Sequence, residues 1–476
     1  HNSDTYLSRT KPNGEMQLFN KVLVANRGEI AVQIIRNLQE MGVATVAVYS
    51  TADRESQFVQ LADEAVCIGG PQPAQSYLNM PQIINTAILL GCDAIHPGYG
   101  FLAENAAFAQ LCEDCQIKFI GPRAAVIETM GDKAHARQAM QQAGVPVVPG
   151  SKAVVTSATA AAREAQRIGY PVLLKASAGG GGKGIRRVDQ ADQLVGAFHA
   201  AQQEAQTAVG DDSIYIEKVI VNARHVEMQV IADEAGHVVY LPERDCSLQR
   251  HHQKIIEESP CSALDEDHRQ ALGQRLVQAC RQLGYTNTGT FEFLMDQDQQ
   301  FYFMEMNTRL QVEHTVTEEV TGLELIKAQI LVAAGEPLPF TQDDVQIHGT
   351  ALECRLNAED PANQFQPVAG RIERLDLPAG THGVRIDSGV VAGDLISPFY
   401  DSMIAKVIVH MDDRHAVLHK MRRVMNELTV TGITTNRSFL LALLADANVI
   451  EDQFTTVYVE QEFLGRMQRQ TEKAVN

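Results

Sequence analysis

Residues 301–320 read FYFMEMNTRLQVEHTVTEEV. The run opens with Phe301, Phe303, Met304 and Met306, large apolar residues suited to a half-buried strand. It then turns polar through Glu305, Asn307, Arg309, Gln311, Glu313 and His314. A strand with carboxylate, amide and guanidinium groups at its exit reads as the wall of a reaction site. Just upstream, Gly289–Met295 reads as a second strand, with Asp296–Gln300 as the turn. A hairpin centred between Asp298 and Gln299 sets Glu292 opposite Glu305, with β-carbons roughly 5 Å apart. Asn307 lies two residues on and shares that face. Carboxylates this close repel, and one takes up a proton unless a cation lies between them. Such oxygen ligands suit Mg²⁺ or Mn²⁺, with water and substrate phosphate completing the shell. Taken alone, the same residues also fit two solvated acids on an open strand face.

The chain has 476 residues, room for about three domains. Its 45% hydrophobic and 21% charged content is an ordinary globular balance. A net charge of −19 argues against a nucleic-acid surface, leaving local basic clusters for ATP or another small anion. No apolar run is long enough to span a bilayer, and no signal peptide is seen. Residues 1–15 carry no core pattern and read as an expression remnant, with Met16 as the natural start. The eight cysteines are scattered. Cys112 and Cys115 form a lone C-x-x-C in a helical segment and read as buried thiols, so a reducing cytoplasm is expected.

Lys21–Asn26 reads as a strand, Glu29–Met41 as a helix stopped by Gly42, and Val43–Tyr49 as the next strand. That βαβ order predicts a parallel sheet. The first turn, N-R-G-E-I, lacks the dinucleotide fingerprint. Ala94–Gly100 and Phe119–Pro122 read as later exits from the same sheet, where open α/β folds bind ligands. Further on, Pro171–Ser177 is a strand, Ala178–Gly184 a glycine run and Ile185–Val188 a returning strand. A phosphate-binding P-loop fails at Ser177 and Gly184. What remains is a flap whose backbone N–H groups can fold over phosphates. Ile214–Val219 reads as a strand and hinge. His225–Ile231 is a strand with His225 and Glu227 on one face. The segment from Glu243 to Lys254 is dense in donors, and Leu323–Ala334 is a helix capped by Gly335.

The segments VLVANRGEIA, AIHPGYGFLAENA, FIGP, MGDK, KASAGGGGKG, HVEMQV, ERDCSLQRHHQK, GTFEF, MEMNTRLQVEH, ECRLNAED and YDSMIAK occur in this order. Together they resemble the biotin carboxylases, members of the ATP-grasp superfamily, from Lys21 to about Leu464. The resemblance implies an α/β fold, α+β in the ATP-grasp part. Its expected divisions are a Rossmann-like domain over 16–130, an ATP-grasp domain over 131–348 with a mobile lid at 147–219, a C-terminal biotin carboxylase domain over 349–465 and a frayed tail over 466–476. It implies ATP-dependent carboxylation of biotin by bicarbonate through carboxyphosphate.

The family's roles fall on residues present here. Lys133, Lys175, Gly181 and Gly182 would meet ATP phosphates. Glu217 and the backbone at Lys218 would hold adenine, with His225, Gln249 and His252 lining the nucleotide pocket. Glu292, Glu305 and Asn307 would bind two divalent cations. Lys254, Arg309, Gln311 and the Val312 amide would orient bicarbonate, Glu313 would deprotonate it, and Arg355 would stabilise the biotin enolate. Thr315 replaces a usual proline and is expected to loosen the loop after Glu313. His251 stands where arginine is common, and Ala178 where glycine is.

The biotinylation tetrapeptide A-M-K-M is absent, so a biotin carboxyl carrier protein and a carboxyltransferase are expected as separate chains or as other parts of a longer one. The end soon after Leu464 suggests the stand-alone subunit of a bacterial acetyl-CoA carboxylase, feeding fatty acid synthesis. The alternatives are a pyruvate or acyl-CoA (propionyl or methylcrotonyl) carboxylase, and a non-catalytic nucleotide-binding protein. The family also implies a homodimer.

Overall fold

Short apolar strands alternating with amphipathic helices build the first layer. The structure, a computed structural model, describes residues 9–10, 16–176, 185–209 and 212–475. Strands β1 (Lys21–Val24), β2 (Ala44–Ser50), β3 (Glu64–Gly69), β4 (Ala94–His96) and β5 (Lys118–Phe119) form a parallel sheet in the order β3-β2-β1-β4-β5. Helix α1 (Gly28–Glu40) crosses from β1 to β2 and buries Ile30, Ile34, Ile35 and Leu38, the helical apolar stripe. Gly42, at φ +73°, ends it. Strand order reverses between β1 and β4, so the loops at their carboxyl ends diverge and open a crevice. Cys112 lies in helix α2 (Ala106–Asp114) and is buried, and all eight cysteines are unpaired.

Helix α3 (Lys133–Gln142) leads into a smaller layer. There α4 (Ala158–Ile168) and α5 (Leu194–Val209) pack on the antiparallel strands β6 (Val172–Ala176), β7 (Ile185–Val188) and β8 (Ile214–Lys218), in the order β8-β6-β7. The expected hairpin between β6 and β7 is present, with Lys175 opposite Ile185. Its tip, including Ala178, Gly181 and Gly182, lies outside the described residues.

The central element is a nine-stranded antiparallel sheet. Its strands are β9 (Arg224–Ala232), β10 (Val238–Tyr240), β11 (Arg244–Arg250), β12 (Gln253–Ser259), β13 (Asn287–Met295), β14 (Phe301–Asn307), β15 (Thr350–Asn357), β16 (Val384–Ser388) and β17 (Met403–Met411). They run β14-β13-β9-β11-β12-β15-β17-β16, with β10 paired to β9. Val226, Met228, Phe291, Phe293 and Phe303 join one hydrophobic cluster. Alternation sends His225, Glu227, Thr290 and Glu292 to the opposite face, and these are buried too. A sheet with a buried polar face has to satisfy that polarity internally.

Two details differ from the sequence reading. Glu292 does oppose Glu305, but the turn is centred on Asp298: Met295 pairs Phe301 and Phe293 pairs Phe303. Met304 is an extra residue, a bulge that restores the acids to register. The turn forms this way because Asp296 Oδ1 accepts the N–H groups of Asp298 and Gln300, both at 2.9 Å. Second, no loop follows Glu313. Residues His314–Thr321 form helix α6, with Glu313 at its N-cap position. Thr315 sits buried in the first turn, where its hydroxyl donates to Glu353 Oε1 at 2.5 Å, so it ties this segment down instead of loosening it. Helix α7 (Leu325–Ala333) follows, and α8 (Arg414–Glu427) covers the far end of the sheet. Among the described residues, no helix is long and apolar enough to cross a membrane.

Candidate active site

Lys254 is the hub of the buried polar face. Its Nζ donates to Glu227 Oε2 at 2.6 Å, Glu313 Oε1 at 2.6 Å and Glu292 Oε1 at 3.1 Å. Strands β9, β12 and β13 place three of these groups, and the start of α6 places the fourth. Burial alone would lower the Lys254 ammonium, but the three carboxylates raise it well above its ordinary value. Arg244, fully buried, donates to Glu227 Oε1 at 2.7 Å and to Gln229 and Thr317.

Glu313 is gripped from two sides. Lys254 holds Oε1, and Arg355 Nη2 donates to Oε2 at 2.9 Å. Burial and Glu227 push its carboxyl up, but Lys254, Arg355 and Arg244 prevail and hold it below the ordinary value. It is therefore an ionised, desolvated carboxylate, as a general base requires.

The opposed acids behave as repulsion demands. Burial opposes ionisation of Glu292, but Lys254 and His225 hold its carboxyl down at about 2. Glu305 moves the other way: desolvation and the Glu292 charge raise it, although part of its side chain is exposed. Asn307 Nδ2 donates to Glu292 Oε1 at 2.8 Å, and Gln311 Nε2 does so at 3.0 Å. His225 Nε2 is buried without a hydrogen-bond partner, 3.5 Å from Glu292 and 3.7 Å from Glu227. An orphaned imidazole nitrogen beside clustered carboxylate oxygens fits a divalent cation: an ion at Glu292, Glu305 and Asn307 would relieve the repulsion that raises the Glu305 carboxyl.

Arg309 is pre-positioned. Glu104 accepts from its Nε at 2.8 Å, Gln311 from Nη1 at 2.9 Å and Asn307 from Nη2 at 3.1 Å. The Val312 carbonyl accepts from the fully buried Lys406 at 2.8 Å. Lys406 also pairs with Glu29 at 3.1 Å, and the Tyr99 hydroxyl donates to Glu29. Tyr99 lines a cavity of about 660 Å³ at the crevice predicted by the strand order, walled also by Arg27, Phe101, Tyr400 and Asp401.

Lys254, Glu292, Asn307, Arg309, Gln311, Glu313 and Arg355 thus converge. Other expected residues stand apart. Lys175 is ion-paired to Glu217, since Tyr215 opposes Lys175 and Glu217 follows on the same face. Lys218 Nζ donates to the Gly169 carbonyl at 3.2 Å. Lys133 opens α3 and its charge reaches Glu305. Gln249 pairs with Lys254 across the strands, but His252 is exposed in the following turn at φ +61°. Sequence reasoning missed Glu104, Arg244, Glu257, Glu353 and Lys406. All but Glu257 lay inside quoted motifs, and Glu353 is two residues from Arg355 on the same face.

Residues 18–127 match the family "Biotin carboxylase, N-terminal domain", 132–341 "Carbamoyl-phosphate synthase L chain, ATP binding domain" and 353–461 "Biotin carboxylase C-terminal domain". A biotin carboxylase of Nostoc sp. is 51% identical over 93% of this chain and 99% of its own length. A pyruvate carboxylase subunit of Methanothermobacter thermautotrophicus is 48% identical over 93% and 90%. The biotin carboxylase domain of Hydrogenobacter thermophilus 2-oxoglutarate carboxylase, solved as a dimer with MgADP, ADP and bicarbonate, superposes with a TM-score of 0.87 at 46% identity, over 94% of this chain and 98% of that one.

Proposed function

The chain belongs to the biotin carboxylase family of ATP-grasp enzymes, and we propose how its residues share out the reaction. It is an ATP-dependent ligase that carboxylates biotin with bicarbonate. The observation that carries the assignment of roles is the ionised Glu313 held between Lys254 and Arg355.

Bicarbonate lies against Lys254, Arg309, Gln311 and the Val312 N–H. Glu313 takes its proton. The freed oxygen bonds to the γ-phosphorus of ATP as the bond to the β,γ-bridging oxygen breaks, giving ADP and carboxyphosphate. Carboxyphosphate separates into CO₂ and phosphate; phosphate takes the ureido N–H proton, and that nitrogen attacks CO₂. Arg355 faces the ureido oxygen as negative charge develops there. Lys133, Lys175, Gly181 and Gly182 hold the phosphates, which requires Lys175 to exchange Glu217 for ATP. Glu217, the backbone at Lys218, His225, Gln249 and His252 hold the nucleoside. Glu292, Glu305 and Asn307 would hold Mg²⁺ or Mn²⁺, whose charge offsets that of the phosphates.

The proposed domain division is that of the sequence, with the lid at 147–219, except that Leu464–Val475 form a helix where a frayed tail was expected. The physiological substrate is biotin on a carrier protein, and a carboxyltransferase takes the carboxyl group onward. Acetyl-CoA carboxylase is the favoured parent; preferential carboxylation of a pyruvate carboxylase carrier would reverse that choice. A homodimer is proposed by analogy with the H. thermophilus domain. Unpaired cysteines suit the cytoplasm.

The test is ADP release with bicarbonate, Mg²⁺ and free biotin. Stimulation by biotin that also depends on bicarbonate is expected. Its absence from a folded, Mg²⁺-supplied sample would sink the carboxylase reading.

A further inference from the structure

Arg355 rests on two acids that the reaction does not consume. Glu257 on β12 and Glu353 on β15 are directly opposed partners in the antiparallel ladder, and both are fully buried. Arg355, two residues beyond Glu353, shares their face. Its Nε donates to Glu257 Oε1 at 2.5 Å and lies 4.0 Å from Glu353 Oε2. Glu353 Oε1 accepts from Thr315 at 2.5 Å. That leaves one oxygen on each acid, Glu257 Oε2 and Glu353 Oε2, buried with no hydrogen-bond partner.

Two ionised carboxylates on opposed strand positions repel, and each would strand an anionic oxygen away from any donor. One proton held by the pair removes the repulsion and neutralises one of the two unpartnered oxygens. We propose that Glu257 and Glu353 are positioning residues that share a single proton and so fix Arg355 toward biotin. With the pair singly charged, Arg355 faces that charge and Glu313. With both ionised it would face three carboxylates, and its field on the incoming ureido oxygen would be largely cancelled. Burial raises both carboxyls, most strongly at Glu257, which agrees with a held proton. The charged groups acting on the pair are Arg355 and Lys254 on their own strands, Glu313 at the start of α6 and Lys406 on β17.

Thr315 belongs to this device. The Thr315 hydroxyl supplies a donor to one oxygen of Glu353 and leaves the other without one.

The kinetic half of the proposal rests on the role given to Arg355; the shared proton does not. Infrared spectra of the full chain in D₂O distinguish a protonated carboxylic acid from a carboxylate. At neutral pH the wild-type-minus-variant spectrum is expected to show a protonated-acid carbonyl band lost in both Glu257→Gln and Glu353→Gln. A wild-type spectrum matching both variants in that region would overturn the shared proton whatever the activity. In turnover assays, Glu257→Gln offers an amide donor in place of the proton and should keep biotin-dependent turnover within about threefold. Glu257→Leu should lose more than tenfold in kcat with KM for ATP unchanged. If Glu257→Leu does not fold, the spectra and the glutamine variant decide. Equal loss in Glu257→Gln and Glu257→Leu would overturn the positioning role.

Discussion

Glu313, the proposed base, shows what one side chain needs in order to stay ionised in a buried site. A desolvated carboxylate takes up a proton unless cations hold it ionised. Here Lys254 and Arg355 each take one of its oxygens, which fixes both its charge and its direction. Glu313→Gln keeps the shape and removes the charge. It is expected to lower turnover by roughly 10²–10⁴-fold, the usual worth of a positioned base, with ATP affinity little changed. Turnover near the wild-type level would remove Glu313 from that role. The residue was legible in the sequence because a charged run at the exit of an apolar strand is conspicuous. Glu257 and Glu353 were not: their sequence gives no sign that the two strands lie side by side. Only the closed sheet sets them opposite each other and buries them, with one oxygen of each lacking a partner.

Elements carry function through where they begin and end. Helix α3 opens at Lys133, and Asp132 caps it by accepting the His135 N–H at 2.8 Å. Removing a cap of this kind costs about 1 kcal/mol. Asp132→Ala should therefore lose about that much stability by urea unfolding. It should also raise KM for ATP severalfold, since Lys133 lies in the turn that frays. An unchanged KM would detach Lys133 from the phosphates. The β13–β14 hairpin teaches the complementary lesson. Opposition of Glu292 and Glu305 was readable by centring the turn between Asp298 and Gln299, yet the path to it was not. Asp296 builds a turn that places the centre on Asp298, and the Met304 bulge makes up the difference. Turn chemistry and a bulge are local choices whose net effect on register cancels, so counting residues finds the pair and misses both devices. Helix α6 was hidden for another reason: five of its eight residues, HTVTEEVT, are β-branched and weak helix formers. Burial of Val316 and Val320 against Ala351 and Ile408 overrides that preference.

At the scale of the whole molecule, the parallel sheet and the large antiparallel sheet are joined by a buried polar contact. His96, at the end of β4, accepts the Gly98 N–H on Nδ1 at 3.0 Å. Its Nε2 therefore carries the proton and donates to Gln329 Oε1 at 3.1 Å, on α7. Gln329 in turn donates to Thr288 on β13 at 2.8 Å. A second proton on His96 would have to displace the Gly98 N–H, and burial already pushes the imidazole down to about 4. The unfolded chain protonates near 6.5. Between those values the unfolded state binds the extra proton, so His96 contributes stability that is complete above about 6.5 and lost as pH falls toward 4. The span corresponds to roughly 3 kcal/mol. Glu258 acts with the opposite sign. Burial raises it to about 7, so the folded state takes up its proton first and gains stability as pH falls from there. The wild-type curve alone therefore hides both. The difference between wild type and His96→Gln isolates the histidine. Urea unfolding at pH 7, 5.5 and 4 should show the wild type losing roughly 3 kcal/mol relative to the variant from the first pH to the last. Parallel curves would mean that His96 titrates alike in both states, and that the contact between the two sheets tolerates a charge.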